Sequence, residues 1–283
     1  MSGSHVRKAV VPAAGKGTRL LPATLSQPKE MLPVGRKPTI QYVVEELAEA
    51  GIDNILIVTG RGKRALEDHF DVDEENVASI DFPKVNVFYV RQSIPLGLAD
   101  AVSRAKEFVQ GEPFIVALGD SIIDSKVGSA SFLHRMLELH DTKKCQATIA
   151  LETVKAEEVH RYGVVKPGMQ QGDVVEVVDL VEKPRSETAP SRLAIAARYV
   201  FEPVIFDMIA SIAKGVGGEY QLTDAIKALL RADASVWGLA LGEGDRRFDI
   251  GNFLSYWDAF FQMCIEDPEI GAVFAERAKN HLK

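Results

Sequence analysis

The chain has little that would tie it to an oxidising compartment, a membrane or a nucleic acid. Only two of its 283 residues are cysteines, Cys145 and Cys264. Both sit in apolar surroundings without CxxC spacing, so they read as core thiols in a reducing compartment. No apolar run approaches the roughly 20 residues that a membrane span needs. Met1 to His5 is short and polar, without the apolar stretch of a signal peptide, and the cytoplasm is the expected location. An excess of positive charge is missing as well. A formal net charge of −7 argues against nucleic acid, which needs Lys and Arg clustered on one face. It leaves room for a basic pocket holding a small phosphorylated ligand. The histidines at 5, 69, 134, 140, 160 and 281 lack H-x-x-x-H spacing, so all read as structural or surface residues. No Ser-His-Asp or nucleophilic-cysteine arrangement stands out.

What is present is a regular alternation. "RKAVVPA", "NILIVTG", "VNVFYVRQ" and "PFIVALGD" read as strands. "KPTIQYVVEELAEAG", "GKRALEDHF" and "LADAVSRAKEFV" read as helices between them, the first with Pro38 near its start and Gly51 past its end. Nearly continuous apolar strands alternating with helices imply an α/β fold whose mainly parallel sheet is covered on both faces. Ligands of such sheets bind beyond the carboxyl ends of the strands. The loops after Pro12, Gln92 and Leu118 should therefore open onto one crevice. The second half, with strands "CQATIALETV", "YGVVKP", "VVEVVDLVEKP", "LAIAARYVF" and "SVWGLALG", is less regular and ends in a helical stretch from Asn252. "KPRSETAPS" (183–191) is too short for a domain linker.

The first strand runs into "PAAGKGTRLLPAT". Gly15 and Gly17 lack the third glycine of a dinucleotide fingerprint, and the P-loop pattern is absent. A lone G-x-G is also an ordinary turn. Two cations lift it above that: Arg19 offers a planar fork and Lys29 a mobile point charge, while the glycines let backbone N–H groups approach phosphate oxygens. Preplaced cations stabilise a phosphoryl group in transfer, and a triphosphate is the guest this loop fits.

"PAAGKGTRLLPAT" followed by "PKEMLPV", "KPTIQYVVEE", "YVRQSIPLGLADAV", "LGDSII", "YGVV", "VEKP", "APSRLAIAARYVF", "EYQLTDAI" and "FDIGN" resembles the sugar nucleotidyltransferase family, in particular the bacterial UTP–glucose-1-phosphate uridylyltransferases. The resemblance covers roughly residues 7 to 260. It implies a Rossmann-like nucleotidyltransferase fold with a mixed, mostly parallel central sheet, a small sugar-binding annex and C-terminal helices, with residues 7–264 as the nucleotidyltransferase domain and 265–283 as a helical tail. It also implies the reaction: uridylyl transfer from UTP to glucose 1-phosphate, with Mg²⁺ as cofactor, giving UDP-glucose and pyrophosphate.

The site residues follow by the same resemblance. Asp120 and Asp249 are the implied Mg²⁺ ligands, and Arg19, Lys29 and Lys183 the catalytic cations. Ala13, Ala14, Gly15, Gly17, Glu30, Gln92 and Gly97 are the implied nucleotide contacts, and Gly163, Glu182 and Lys183 the sugar contacts. Without that context Asp120 is equally a turn former and Glu182–Lys183 a solvent-facing pair, whereas an amide such as that of Gln92 has the donor and acceptor to pair with a pyrimidine edge. Glu30 favours UTP over dTTP, since thymidylyltransferase relatives typically carry Gln there; the other reading is a family marker with no ligand contact. The resemblance further implies a homo-oligomer, a dimer or tetramer. Three departures stand out: Gly119, Ser121, and the shortened stretch "DVDEENVASIDFPKV" in place of a helical insertion that can contribute to subunit contacts. Two other readings are a thymidylyltransferase and a catalytically silent sugar-nucleotide sensor. The sensor is disfavoured because Arg19, Lys29, Asp120 and Lys183 are all present. A dehydrogenase is disfavoured by the missing glycine.

Overall fold

A computed structural model describes residues 5–71, 84–125 and 131–281; most of the shortened stretch at 71–85 lies outside them. The described strands are β1 (Lys8–Pro12), β2 (Pro33–Val34), β3 (Lys37–Pro38), β4 (Asn54–Thr59), β5 (Asn86–Arg91), β6 (Phe114–Ala117), β7 (Ser121–Ser125), β8 (Ala147–Thr153), β9 (Gly163–Gln171), β10 (Val174–Glu182), β11 (Leu193–Phe201), β12 (Val236–Ala240) and β13 (Asp245–Asp249). The described helices are α1 (Thr39–Glu49), α2 (Arg64–Phe70), α3 (Leu98–Ser103), α4 (Lys106–Val109), α5 (Phe132–Lys143), α6 (Ile205–Ser211), α7 (Leu222–Arg231), α8 (Phe253–Ile265) and α9 (Gly271–His281).

Nine strands form the central sheet in the order β5-β4-β1-β6-β11-β8-β12-β10-β9. It is mixed, but the mostly parallel character is confined to β5-β4-β1-β6 and the β8–β12 pair. β11 enters antiparallel between β6 and β8, and β9 and β10 pair antiparallel. A single further pairing of Val164 with Ala194 brings β9 back to β11, so the second half of the sheet curls on itself. Side chains of the parallel half alternate between two cores, as a period of two requires. Val10, Leu56 and Val58 pack with Ala99, Val102, Phe206 and Leu229 on one face. Ala9, Val11, Ile55 and Ile57 pack with Val43, Val44, Leu47 and Met136 on the other. All of these are buried, and full burial of each Val, Ile or Leu contributes about 1.5–3 kcal/mol.

α1 begins with Pro38 as the flanking residue and ends before Gly51, whose φ of 86° is the left-handed conformation that closes a helix. The continuous helix expected over "LADAVSRAKEFV" is instead two, α3 and α4. Ser103 Oγ donates to the Asp100 carbonyl at 2.7 Å and Arg104 turns back to Asp100 at 2.7 Å, side-chain bonds that compete with the helical ladder. Of the two cysteines, Cys145 is buried but Cys264, on the outer helix α8, is only partly so. Among the described residues no helix is long and apolar enough to cross a membrane.

His140 on α5 is buried, with Thr148 Oγ1 at 3.0 Å and Glu202 Oε1 at 3.4 Å. Burial holds its imidazole below the ordinary range. The unfolded chain then takes up a proton near pH 6.5, before the folded one does, so His140 contributes stability above that pH and loses it as the pH falls further. His140→Gln should make the fall in Tm between pH 7 and 5.5 smaller by about 2 °C or more. Equal falls by circular dichroism would remove His140 as the source.

Candidate active site

The site grows from the turns beyond β1 and β6. After Pro12 the chain makes the loop Ala13–Gly17. Gly17 has a φ of 65°, and its carbonyl accepts from Thr24 Oγ1 at 2.8 Å, so the loop folds back over itself and leaves Gly15, Lys16 and Arg19 exposed. A short 3₁₀ turn, Lys29–Met31, then sends successive side chains in opposite directions. Lys29 reaches under Gly15 to the Asp120 carboxylate. Glu30 turns inward and is 1% exposed, with Lys63 Nζ donating to it at 2.7 Å.

Asp120 sits in the turn between β6 and β7, and Asp249 ends β13. β7 and β13 pair antiparallel with Asp249 opposite Ser121, and Ile250 N donates to the Asp120 carbonyl at 2.9 Å. That register brings together two carboxylates far apart in sequence. Both line a cavity of about 460 Å³ with Gly15, Lys16, Arg19 and Lys29 on one side and Gly163, Glu182, Lys183 and Thr223 on the other. Arg161 and Arg247 also face it, so cations outnumber acids in the pocket although the whole chain is acidic.

The electrostatics follow from burial and pairing. Burial opposes the Lys29 ammonium, but Asp120, Glu30 and Asp249 outweigh it and hold the group charged well above its ordinary range. Burial likewise opposes the Asp120 carboxylate, and Lys29 overrides it and keeps the group low. Asp249 goes the other way: burial and the nearby Asp120 charge push it up, against Arg247 and Arg161. A bound divalent cation would return such a carboxylate to its charged form, and two carboxylates facing a space for phosphate oxygens are the hard-donor set that such a cation takes. The residues fit a metal.

On the sugar-sized side, Glu182 accepts from Thr223 Oγ1 at 2.6 Å and lies 3.2 Å from Lys183 Nζ. A Cβ on Gly163 would stand 3.0 Å from Ile195 and 3.2 Å from both Glu182 and Thr223, so a side chain there would press on the Glu182–Thr223 pair. Lys183 has a φ of 46°, an uncommon backbone state for a side chain of this kind, fixed as its N–H donates to the Tyr162 carbonyl at 2.9 Å. A model described as nucleotidyl transferase matches residues 8–265. The chain belongs to that family.

Relatives of this nucleotidyl transferase cover almost its whole length. It is 41% identical over 279 residues to a UTP–glucose-1-phosphate uridylyltransferase of Staphylococcus epidermidis, covering 94% of both chains. To one of Bacillus subtilis it is 42% identical, over 94% of this chain and 92% of the other. Among solved structures it resembles a UDP-glucose pyrophosphorylase complexed with UDP-glucose (39% identity, TM-score 0.84, 90% of this chain and 97% of that one). It also resembles a UTP-bound UGPase from Acinetobacter baumannii (34% identity, TM-score 0.85, 96% and 98%).

Three expected nucleotide contacts of this nucleotidyl transferase stand elsewhere. Glu30 is not at the cavity surface but beneath it, sealed against Lys63. Ala13 is buried. Gly97 (φ 119°) packs on the next loop, where a Cβ would lie 2.5 Å from the Tyr220 carbonyl. Gln92 opens onto a neighbouring cavity of about 450 Å³ that shares Gly15 and Lys16 with the first and is also lined by Ala14, Gly60 and Lys63. The crevice is thus two adjoining pockets, and the Gln92 amide N–H groups are directed at Gly97 O (3.2 Å) and Asp100 (2.6 Å). Sequence reasoning missed Lys16, Arg161, Tyr162, Thr223 and Arg247. Arg247 lies two residues before Asp249 on β13, hence on the same face, a relation that appears only once β13 is known to be a strand. Its guanidinium bonds Glu152 at 2.6 Å and stands 5.1 Å from the Tyr162 ring.

Proposed function

We propose that this chain is a UTP–glucose-1-phosphate uridylyltransferase. The observation that carries the reading is one basic cavity with Lys29 and the Asp120–Asp249 pair on its glycine-loop side and Lys183 and Glu182 on the other. The relatives' names supply the substrates. UTP lies with its phosphates along Gly15, Gly17, Arg19 and Lys29 and its base toward Ala14 and Gln92. Glu30 acts from beneath through Lys63, and Ala13 and Gly97 shape the base pocket by their backbone. Glucose 1-phosphate lies with its phosphate on Lys183 and its hydroxyls toward Glu182 and Gly163, where a mismatched epimer would leave buried polar groups unpaired.

A phosphate oxygen of glucose 1-phosphate attacks the α-phosphorus. The new O–P bond forms as the bond from Pα to the bridging oxygen breaks, and pyrophosphate leaves with that electron pair. Nucleophile and leaving group are both good, so the protein's work is positioning and charge neutralisation. Asp120 and Asp249 would hold Mg²⁺, whose chemistry here is neutralising phosphate charge. Lys29 is kept protonated by its acidic neighbours and adds a fixed cation.

We place the reaction in the cytoplasm, in a body of residues 7–264 with 265–283 as a helical tail. A homo-oligomer is supported by the exposed apolar face of Leu254, Trp257 and Phe261 on α8. The test is pyrophosphate release with Mg²⁺ and glucose 1-phosphate across UTP, dTTP, ATP, CTP and GTP, with galactose 1-phosphate as the sugar control. A methyl group separates uracil from thymine, so UTP should lead dTTP by about 10- to 200-fold. Release led by dTTP would transfer the reading to a thymidylyltransferase. Ligand binding without release would make the chain a silent sensor.

A further inference from the structure

Arg198 is the largest fully buried side chain among the described residues, and the proposed chemistry leaves it without a role. It lies on β11 directly after Ala197, which has a left-handed φ of 63°. There the strand gains extra residues relative to β8, between the Ile195–Leu151 and Tyr199–Ile149 pairs. From this bulge the guanidinium reaches three elements. Nε and Nη2 donate to Glu46 of α1 at 3.1 and 2.6 Å. Nη1 donates to the Ala197 carbonyl at 3.2 Å and approaches that of Leu118 at 3.5 Å. Nη2 also donates to the Ser121 carbonyl at 2.9 Å. Leu118 and Ser121 are the two ends of the turn that carries Asp120. Leu118 N in turn donates to the same Ala197 carbonyl at 3.0 Å.

We propose that Arg198, anchored by Glu46, is a positioning residue that clamps both ends of the Leu118–Ser121 turn and so fixes the Asp120 carboxylate for its cation. This rests on the metal role given to Asp120 above. A buried arginine used only to fill the core would need its charge neutralised, which Glu46 alone does. Spending the remaining donors on the backbone carbonyls that bracket one carboxylate is what a clamp requires. Only a planar guanidinium presents donors toward Glu46 and toward two separated carbonyls together; an ammonium has three donors on one atom and cannot span them. The clamp is also covalently continuous with Ala197, which lines the same cavity, so the sugar side and the metal side of the site share one support.

The test is Arg198→Lys, which keeps the charge and removes the fork. Hydrogen exchange in the substrate-free, metal-free protein should accelerate by about tenfold or more in the segment 118–123, with β1 and β4 unchanged. Binding of Mn²⁺, measured by electron paramagnetic resonance without nucleotide, should weaken by about tenfold. The Mg²⁺ concentration for half-maximal turnover should rise in step, while KM for glucose 1-phosphate stays within about twofold. Glu46→Asp, which keeps the counter-charge of the buried guanidinium and draws it back by one methylene, serves if the first variant fails to fold and should move the same readouts less far. Leu229→Ala in the core on α7 should lower Tm and move neither. Unchanged exchange at 118–123, or faster exchange with unchanged Mn²⁺ binding, overturns the proposal whatever happens to Tm. Wild-type protein that binds Mn²⁺ but transfers no nucleotide would overturn the proposed function and leave the clamp standing. Where wild-type protein takes up Mn²⁺ only with UTP, the same comparison is made with UTP present; wild-type protein that binds no Mn²⁺ in either state would overturn both.

Discussion

Asp120→Asn should lower pyrophosphate release from UTP and glucose 1-phosphate by about 10³-fold or more, the largest loss expected from a single site substitution. The change is nearly isosteric, so the turn between β6 and β7 and the bond from Ile250 N to the residue-120 carbonyl stay in place. What is lost is a charge with two tasks. It is the main counter-ion of Lys29, whose ammonium is held charged against burial chiefly by Asp120. It is also one of the two carboxylates facing the phosphate space. With an amide there, a cation retains only Asp249, which burial pushes toward its neutral form. Apparent affinity for Mg²⁺ should therefore fall together with kcat, while metal-free UTP binding, measured by calorimetry, should change by less than about threefold. Full activity in the variant would mean that Asp120 is only a turn former with a neighbouring lysine. Asp249→Asn should show a smaller loss, because Arg247 and Arg161 already offset that charge.

The halves of the fold differ in how far they can be read from the residues. β1, β4 and β6 are buried on both faces and so appear as unbroken apolar runs, and α1 carries its own stop signal at Gly51. β7 and β13 could not be found that way. "SIIDS" and "DRRFD" are short and polar, and they are strands only because they pair with each other. Their pairing is what sets Asp249 beside Asp120, so the meeting of the two carboxylates follows from the family resemblance, whereas the strand pairing that produces it is not legible in the residues. The bulge in β11 was equally hidden, since its left-handed residue is Ala197 and no glycine marks it. α5 differs in kind. "FLHRMLELH" has helical spacing and Ser131 caps it, accepting from His134 N at 3.3 Å; it was readable but lay between more conspicuous motifs. The inward turn of Glu30 comes from the 3₁₀ turn. Adjacent residues there point apart, so Lys29 and Glu30 serve the surface and the interior, a distinction no spacing rule at the level of motifs contains.

Removal of the other cation with a single substrate to serve should separate the two halves of the cavity. Lys183→Ala should raise KM for glucose 1-phosphate by about 10- to 100-fold and lower kcat by about tenfold, with KM for UTP within about twofold. The split follows from position. Lys183 lies across the cavity from the glycine loop, beside Glu182 and Thr223, and its backbone is held in a left-handed state by the Tyr162 carbonyl. A residue kept in that conformation at a cost of order 1 kcal/mol or more persists because the surrounding strands force it, and the outcome is an ammonium aimed into the cavity. Lys183→Gly relieves the backbone and removes the charge. It should therefore match the alanine variant in kinetics while exceeding it in Tm, as glycine adopts positive φ freely. Lys183→Arg should recover the charge but only part of the rate, because a planar fork on a fixed backbone cannot place its charge where a single ammonium did. An unchanged KM for glucose 1-phosphate in the alanine variant, with KM for UTP raised instead, would move Lys183 to the triphosphate and reverse the order of the two subsites. Loss of Tm without any kinetic change would leave it as a partner of Glu182 alone.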